Sequence, residues 1–391
     1  MSKSGDAVVA IRNGGRRVRG FWTRVTGGFE LEQLWSQFLS EARSSYGLIS
    51  SDVDWEAIGR EPRRWKRPFR AAWALFTAML MKLTPARRVI LLLALVLVIV
   101  QGEIRLGESG LTINLLLVGA LLIFVVLVLE LADRVTMKRD LEIAREIQQW
   151  LVPESAPVVD GIDMAFATRP QNTIAGDAYD AFLRQNRHGA DPAPLLIAVA
   201  DVAGKGVPAA LLMATFQASL RTLAGTAASL EEIVSGLDRY ARDHNMGGRR
   251  FTTAFLAEVD PASGAMHYVN AGHNAPILLR ASRAAERLVT GGPPLGLPSM
   301  RGKDSRFESD SARLQNGDSL FIFTDGLVEA VNQGGEEFGE ERLLKLLDMA
   351  PAESASATLN RVMYEVNAFA GTAHQHDVIT CLIVKVGEAI R

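Results

Sequence analysis

Residues 111–129, "LTINLLLVGALLIFVVLVL", run for 19 positions without a charge. At ~1.5 Å per residue, a helix of that length crosses a ~30 Å hydrocarbon core. A shorter run, "VILLLALVLVIV" (89–100), has 12 apolar residues and spans only if it extends back to Pro85 and forward through Gln101. Arg87 and Arg88 would then snorkel to the interface. The pair reads as a transmembrane hairpin within 84–130, about 86–104 and 111–130, with two buried core helices as the alternative. The loop "QGEIRLGESG" carries one Arg and two Glu. Nine Lys or Arg lie between Arg60 and Arg88 against the single acid Glu61, and Arg134, Lys138, Arg139 and Arg145 follow the second run. The positive-inside rule puts both termini in the cytoplasm of a multi-pass protein of the cytoplasmic membrane.

The flanking regions differ in kind. Residues 1–83 read as a partly helical cytoplasmic region, with helical spacing in "FELEQLWSQFLSEA". No secretory signal peptide is expected, because no long apolar stretch follows the first charges. The cluster "REPRRWKRPFR" (60–70) could bind nucleic acid or anionic lipid. Beside a span, the lipid bilayer is the simpler partner, and a net charge of −2 gives no sign of nucleic acid. Residues 131–155 continue as a linker helix to Pro153. Met137, Leu141, Ala144 and Leu151 form one seam, with Gln148 inside it, and Ile143, Ile147 and Trp150 a second stripe. This suits a short parallel coiled coil and a homodimer, or a helix packed on its own domain. Cys381 is the only cysteine, which excludes an internal disulfide and a multi-cysteine zinc site.

From 156 to 391 the period changes to two. Strand-like runs are "IDMAFAT", "YDAFLR", "LLIAVADV", "TTAFLAEV", "MHYVNAG", "PILLRA", "SLFIFTD" and "VITCLIVKV". Helices are expected over 208–223, 229–245, 339–348 and 354–370. Tight turns such as "DPASG" separate adjacent strands, so the pattern predicts an α+β domain with antiparallel sheets. Four strands begin or end on carboxylates: Asp177 and Asp180 beside Gly176, Asp201 before "AGKG", Asp325 in "FTDG", and Asp377 before the last strand. Crowded carboxylates repel unless protonated or bridged by a cation. An oxygen-only set suits Mg²⁺ or Mn²⁺ better than zinc. Two such ions ~3.5–4 Å apart would activate a bridging water for in-line attack on a phosphoryl group.

The motifs resemble those of the PP2C-type metal-dependent protein phosphatases, and within them the bacterial SpoIIE/RsbU subfamily. Its pattern includes "ARxIQxxLLP", "GDYYD", "DVxGHG", "NAGHNPP", "GGxPLG", "YTDGxxE" and "DDxT". This chain has "AREIQQWLVP" (144–153), "GDAYD" (176–180), "DVAGKG" (201–206), "NAGHNAP" (270–276), "GGPPLG" (291–296), "FTDGLVE" (323–329) and "DVIT" (377–380), in the same order. The resemblance covers about 140–388. It implies a PP2C-like sandwich of antiparallel sheets flanked by α-helices. It implies Asp177, Asp201, Asp325 and Asp377 as metal-binding carboxylates acting through a metal-activated water, with the Val202 backbone carbonyl as a further ligand and Asp201 as the bridge between two Mn²⁺ or Mg²⁺ ions. It also implies a protein serine/threonine phosphatase acting on a phosphoprotein, in this subfamily often a STAS-type anti-anti-sigma factor. A non-catalytic partner-binding module and a two-metal phosphodiesterase are the rival readings. Lys205, Ala178 and Val378 depart from the pattern, and Val378 weakens any third-metal role.

Four other residues carry two readings each. His273 is a general acid or a hydrogen-bonded turn residue. Asp180 is a water-mediated ligand or a strand-surface residue. Arg249 and Arg250 meet a phosphoprotein or are solvated. Cys381 reads as core.

Overall fold

The computed structural model describes residues 53–59, 63–106, 111–153, 155–169, 176–184, 193–244, 250–297, 307–349, 353–373, 375 and 377–387. The helix expected over 29–42 and the side chain of Arg249 lie outside them. The chain divides into two compact units with the boundary after Arg134.

The first unit contains α1 (Trp55–Gly59), a 3-10 turn (Arg64–Lys66), α2 (Arg67–Lys82), α3 (Pro85–Val100), β1 (Glu103–Leu106), β2 (Leu111–Asn114) and the start of α4 (Leu115–Leu151). The 19-residue apolar run is therefore not all helix. Its first four residues form a strand that pairs antiparallel with β1, Leu111 opposite Leu106 and Asn114 opposite Glu103. Asn114 sets the switch: its Oδ1 accepts from the Leu116 and Leu117 backbone N–H groups at 2.9 and 3.3 Å, as an N-cap does. Upstream, Gln101 closes α3 in the left-handed region at φ 46°. Among the described residues, α4 is the one helix long and apolar enough to cross a membrane. α3, at 16 residues, is shorter than the ~20 that a span needs. The two helices run in opposite directions and touch closely at Gly119. A Cβ there would lie 2.8 Å from Val98 Cγ2 and 2.9 Å from the Ala94 carbonyl. At their other ends Arg87 pairs with Asp133 at 2.6 Å and Glu130 at 3.3 Å.

The second unit is a sandwich whose layers follow from side-chain alternation. Its elements are β3 (Ile162–Arg169), β4 (Ala178–Leu183), β5 (Leu195–Val202), α5 (Val207–Ala224), α6 (Leu230–Asp243), β6 (Thr252–Val259), β7 (Ala265–Ala271), β8 (Ile277–Leu279), β9 (Ala285–Arg287), β10 (Gly291–Gly292), β11 (Asp310–Arg313), β12 (Ser319–Phe323), α7 (Asp325–Val328), α8 (Glu340–Asp348), α9 (Ala355–Ala370) and β13 (Ile379–Val386). One sheet has the order β10-β7-β6-β5-β4, with β11 also on β7; the other is β3-β13-β12-β8-β9. All pairings are antiparallel except β10 with β7.

In β5, Leu195, Ile197 and Val199 face the second sheet, where they meet Leu320, Ile322, Leu382 and Val384. The alternate residues Leu196, Ala198 and Ala200 pack under α5 and α6 against Met213, Leu220, Ile233 and Leu237. On the far side, Phe321, Phe323, Cys381 and Ile383 pack under α8 and α9 against Leu343, Leu347, Leu359 and Val362. Four layers result: helices, sheet, sheet, helices. The expected α+β sandwich and its long strands match to within a residue or two. The sequence pattern missed β9, β10 and β11, which are two to four residues long and lack an apolar alternation.

Candidate metal centre

The carboxylates come together because antiparallel pairing sets strand ends side by side. Ala178 opposes Ala200 across β4 and β5, so Asp177 and Asp201 stand one residue beyond that pair. In the other sheet Phe323 opposes Cys381, which brings the end of β12 alongside the start of β13. Asp325 follows the first and Asp377 precedes the second. Gly326 lets the two backbones meet: a Cβ there would lie 2.0 Å from the Val378 carbonyl oxygen. The glycine of "TDG" therefore serves a close backbone approach as well as the turn.

Thr324 ties the sheets together. Its hydroxyl donates to Asp177 Oδ2 at 3.0 Å and accepts from the Thr380 backbone N–H at 3.0 Å. Thr324 and Thr380 are fully buried, and Thr380 Oγ1 lies 3.0 Å from Thr168 Oγ1. Asp177 is buried, whereas Asp201, Asp325 and Asp377 are half-buried. The set is thus a walled carboxylate with three others open to solvent. The Val202 carbonyl approaches Gly176, whose Cβ would lie 3.3 Å from it. After Asp201 the chain turns on Gly204 and Gly206 at φ 108° and 76°. Arg250 braces this turn by donating from Nη1 to the Ala203 carbonyl at 2.9 Å. Lys205 Nζ lies 3.4 Å from Asp377 Oδ2.

These groups repel one another. Burial, then the charge of Asp201, pushes Asp177 well above the usual carboxylate range, and the Thr380 and Thr324 hydroxyls pull it back. Burial, then Asp325 and Asp377, pushes Asp201 up to about 6. Burial, then Asp377, raises Asp325. Glu329 rises too, through burial first and then the charges of Asp325, Glu337 and Asp377. Among the described residues, no three His, Cys, Asp or Glu side chains close into a ready cage. An all-oxygen set, electrostatically joined yet not closed, suits a divalent ion such as Mg²⁺ that keeps several waters and binds through one or two carboxylates. The residues fit such an ion on donor chemistry and on the repulsion it would relieve.

Asp180 stands apart from this set. It is buried and forms a two-pronged pair with Arg221 on α5, both contacts at 2.6 Å, while the guanidinium lies 3.9 Å from the Phe182 ring centroid. It clamps α5 to β4 and is not a strand-surface residue. His273 is also buried. Its Nδ1 lies 3.1 Å from Thr253 Oγ1, its backbone N–H donates to Asn270 Oδ1 at 2.7 Å, and burial lowers its pKa to about 4. That supports the turn-held reading. Sequence alone gives Thr324 no role; a hydroxyl directly before the Asp-Gly turn is its only signal.

The family described as Stage II sporulation protein E (SpoIIE) matches residues 191–387. The chain is 26% identical over 251 residues to the phosphoserine phosphatase RsbU of Bacillus subtilis, covering 64% of this chain and 70% of that protein. It is 27% identical over 271 residues to protein IcfG of Synechocystis sp., spanning 63% of this chain but only 41% of that relative. In structure it is similar to the SiaA-PP2C domain of Pseudomonas aeruginosa, with a TM-score of 0.56 and 20% identity over 65% of this chain and 98% of that domain. That likeness shows the fold.

Proposed function

The chain belongs to the SpoIIE family and has the PP2C fold, and on that premise we propose that it is a metal-dependent protein serine/threonine phosphatase. The observation that carries this reading is the meeting of strand-end carboxylates from both sheets, with Asp177 held by Thr324 across the sandwich. Asp177, Asp201, Asp325, Asp377 and the Val202 carbonyl would hold two Mn²⁺ or Mg²⁺ ions. When bound, such ions lower the pKa of water and polarise a phosphoryl group. The chain's own residues prepare the place. Thr324 and Thr380 fix Asp177, and Gly326 brings Asp325 up to Asp377. The three half-buried carboxylates leave a face open to a phosphorylated side chain.

The substrate class proposed is a phosphoserine or phosphothreonine protein of STAS type. The name of the Bacillus subtilis relative, a phosphoserine phosphatase, supports the phosphoserine part of it. We further propose that α4 crosses the membrane and that the 16-residue α3 pairs with its apolar half as the short arm of a hairpin, the bilayer thinning around it, with the linker helix a homodimer contact and 156–391 a cytoplasmic catalytic domain. The Gly119 contact and the exposed Ile143, Ile147 and Trp150 support these readings.

The test is hydrolysis of p-nitrophenyl phosphate and of a phosphoserine peptide by the full chain with Mn²⁺, beside Asp201→Asn. Turnover by wild type and not by the variant is expected. The rival, a partner-binding module without turnover, draws on the carboxylates not closing into a cage. Absence of wild-type turnover would favour it, and cleavage of bis-p-nitrophenyl phosphate alone would favour a phosphodiesterase.

A further inference from the structure

The helix α2 carries an aromatic stripe that nothing in the catalytic reading uses. Trp65 in the preceding 3-10 turn, Phe69 and Trp73 follow at intervals of four, so they share one face. Each is about two-thirds exposed, at 66%, 71% and 67%. The same face continues to Phe76, which is half-buried, and Leu80, which is buried at 8%. The stripe is thus covered at its C-terminal end and open at its N-terminal end. Cations flank the open end: Arg63, Lys66, Arg67 and Arg70. Lys66 Nζ sits 5.4 Å from the Trp65 ring centroid. From Arg63 to Gly102 the sequence holds no acidic residue.

The corner into the apolar helix is fixed. Only Leu83 and Thr84 separate α2 from α3. The Arg88 guanidinium spans the gap, donating to the carbonyls of Leu80, Met81 and Leu83 at 3.2, 3.1 and 3.0 Å. A cation at a helix C-terminus satisfies orphan carbonyls and meets the negative end of the dipole. Beyond the corner, α3 exposes Val89, Leu93, Val96 and Ile99, so the open aromatic face is followed along the chain by an apolar one.

We propose that α2 lies in the headgroup layer of an anionic membrane, with Trp65, Phe69 and Trp73 at the acyl boundary and Arg63, Lys66, Arg67 and Arg70 on phospholipid phosphates. This rests on the membrane reading of α3 and α4 and goes beyond it, because a spanning helix requires no such neighbour. Tryptophan is at home at that depth, and basic residues beside it draw anionic lipid. Duplex nucleic acid is the weaker occupant: it calls for the cations and leaves the rings unexplained.

The test uses the full chain in vesicles of phosphatidylcholine and phosphatidylglycerol, with bromine near the headgroup of one lipid or the other. Trp65 and Trp73 are read as the difference between wild type and the Trp65→Phe/Trp73→Phe variant. That difference should be quenched about fivefold more, per mole, by brominated phosphatidylglycerol than by brominated phosphatidylcholine. The Arg63→Gln/Lys66→Gln/Arg70→Gln variant should make the two lipids equal. Equal quenching in wild type, or no difference between wild type and the double Phe variant, overturns the proposal while the spanning reading stands. A chain that fails to float with vesicles after alkaline washing overturns both. Quenching reversed by a duplex oligonucleotide assigns the surface to nucleic acid and overturns the lipid proposal.

Discussion

Thr324→Val removes one oxygen and keeps the side-chain volume. The lost hydroxyl makes two contacts at 3.0 Å in a fully buried site, donating to Asp177 and accepting from the Thr380 N–H. The substitution strands that N–H and takes a donor from a carboxylate already forced up by burial. Leaving a buried polar group unpaired costs about 1–3 kcal/mol, and two groups are affected, so a loss of about 3 kcal/mol is expected. With a denaturant slope of about 3 kcal/mol/M for a unit of this size, the urea midpoint should fall by about 1 M. The assay is resistance of the 135–391 unit to proteolysis in a urea series on the full chain. Thr324→Ser restores the hydroxyl and should recover most of the loss. A midpoint unchanged in Thr324→Val, or a Ser variant as damaged as the Val variant, would refute the account of Thr324 as the tie between sheets.

Other outcomes follow from the same geometry. Gly326→Ala drives a methyl to 2.0 Å from the Val378 oxygen and should cost about 1–3 kcal/mol and weaken Mn²⁺ binding, read by calorimetry. A double-mutant cycle on Asp180→Asn and Arg221→Met should give a coupling of about 1–2 kcal/mol, since one partner is buried and the other half-exposed. His273 has a folded pKa of about 4, below its ordinary 6.5, so its protonation is opposed in the fold. Its contribution is full above pH 6.5 and is lost as pH falls toward 4, about 3 kcal/mol in all. The wild-type minus His273→Asn stability difference should shrink over that window, and a flat difference would contradict it. A reporter inserted within 102–110 should face the outside of the cell; a cytoplasmic signal would overturn the hairpin.

Much of this site is legible in sequence because period-two strands announce both their faces and their ends. "LLIAVADV" and "VITCLIVKV" alternate between two cores as written, so a carboxylate at the rim is placed once the sheets are. What stays hidden depends on partners far along the chain. Asp180 meets Arg221 41 residues later, and Thr324 meets Asp177 across 147. The spacing of neither pair could announce it. The start of α4 was hidden differently: Leu111 and Ile113 are as apolar as the helix that follows, and only Thr112 and the Asn114 cap mark the change.

The central claim is that Asp177, Asp201, Asp325 and Asp377 act together on divalent ions. Titrating Mn²⁺ into the full chain by electron paramagnetic resonance, in wild type and in each Asp→Asn variant, tests it most directly. About two ions should bind to wild type, and Asp201→Asn should weaken uptake at least about tenfold. Uptake in Asp201→Asn and Asp377→Asn equal to wild type would contradict it.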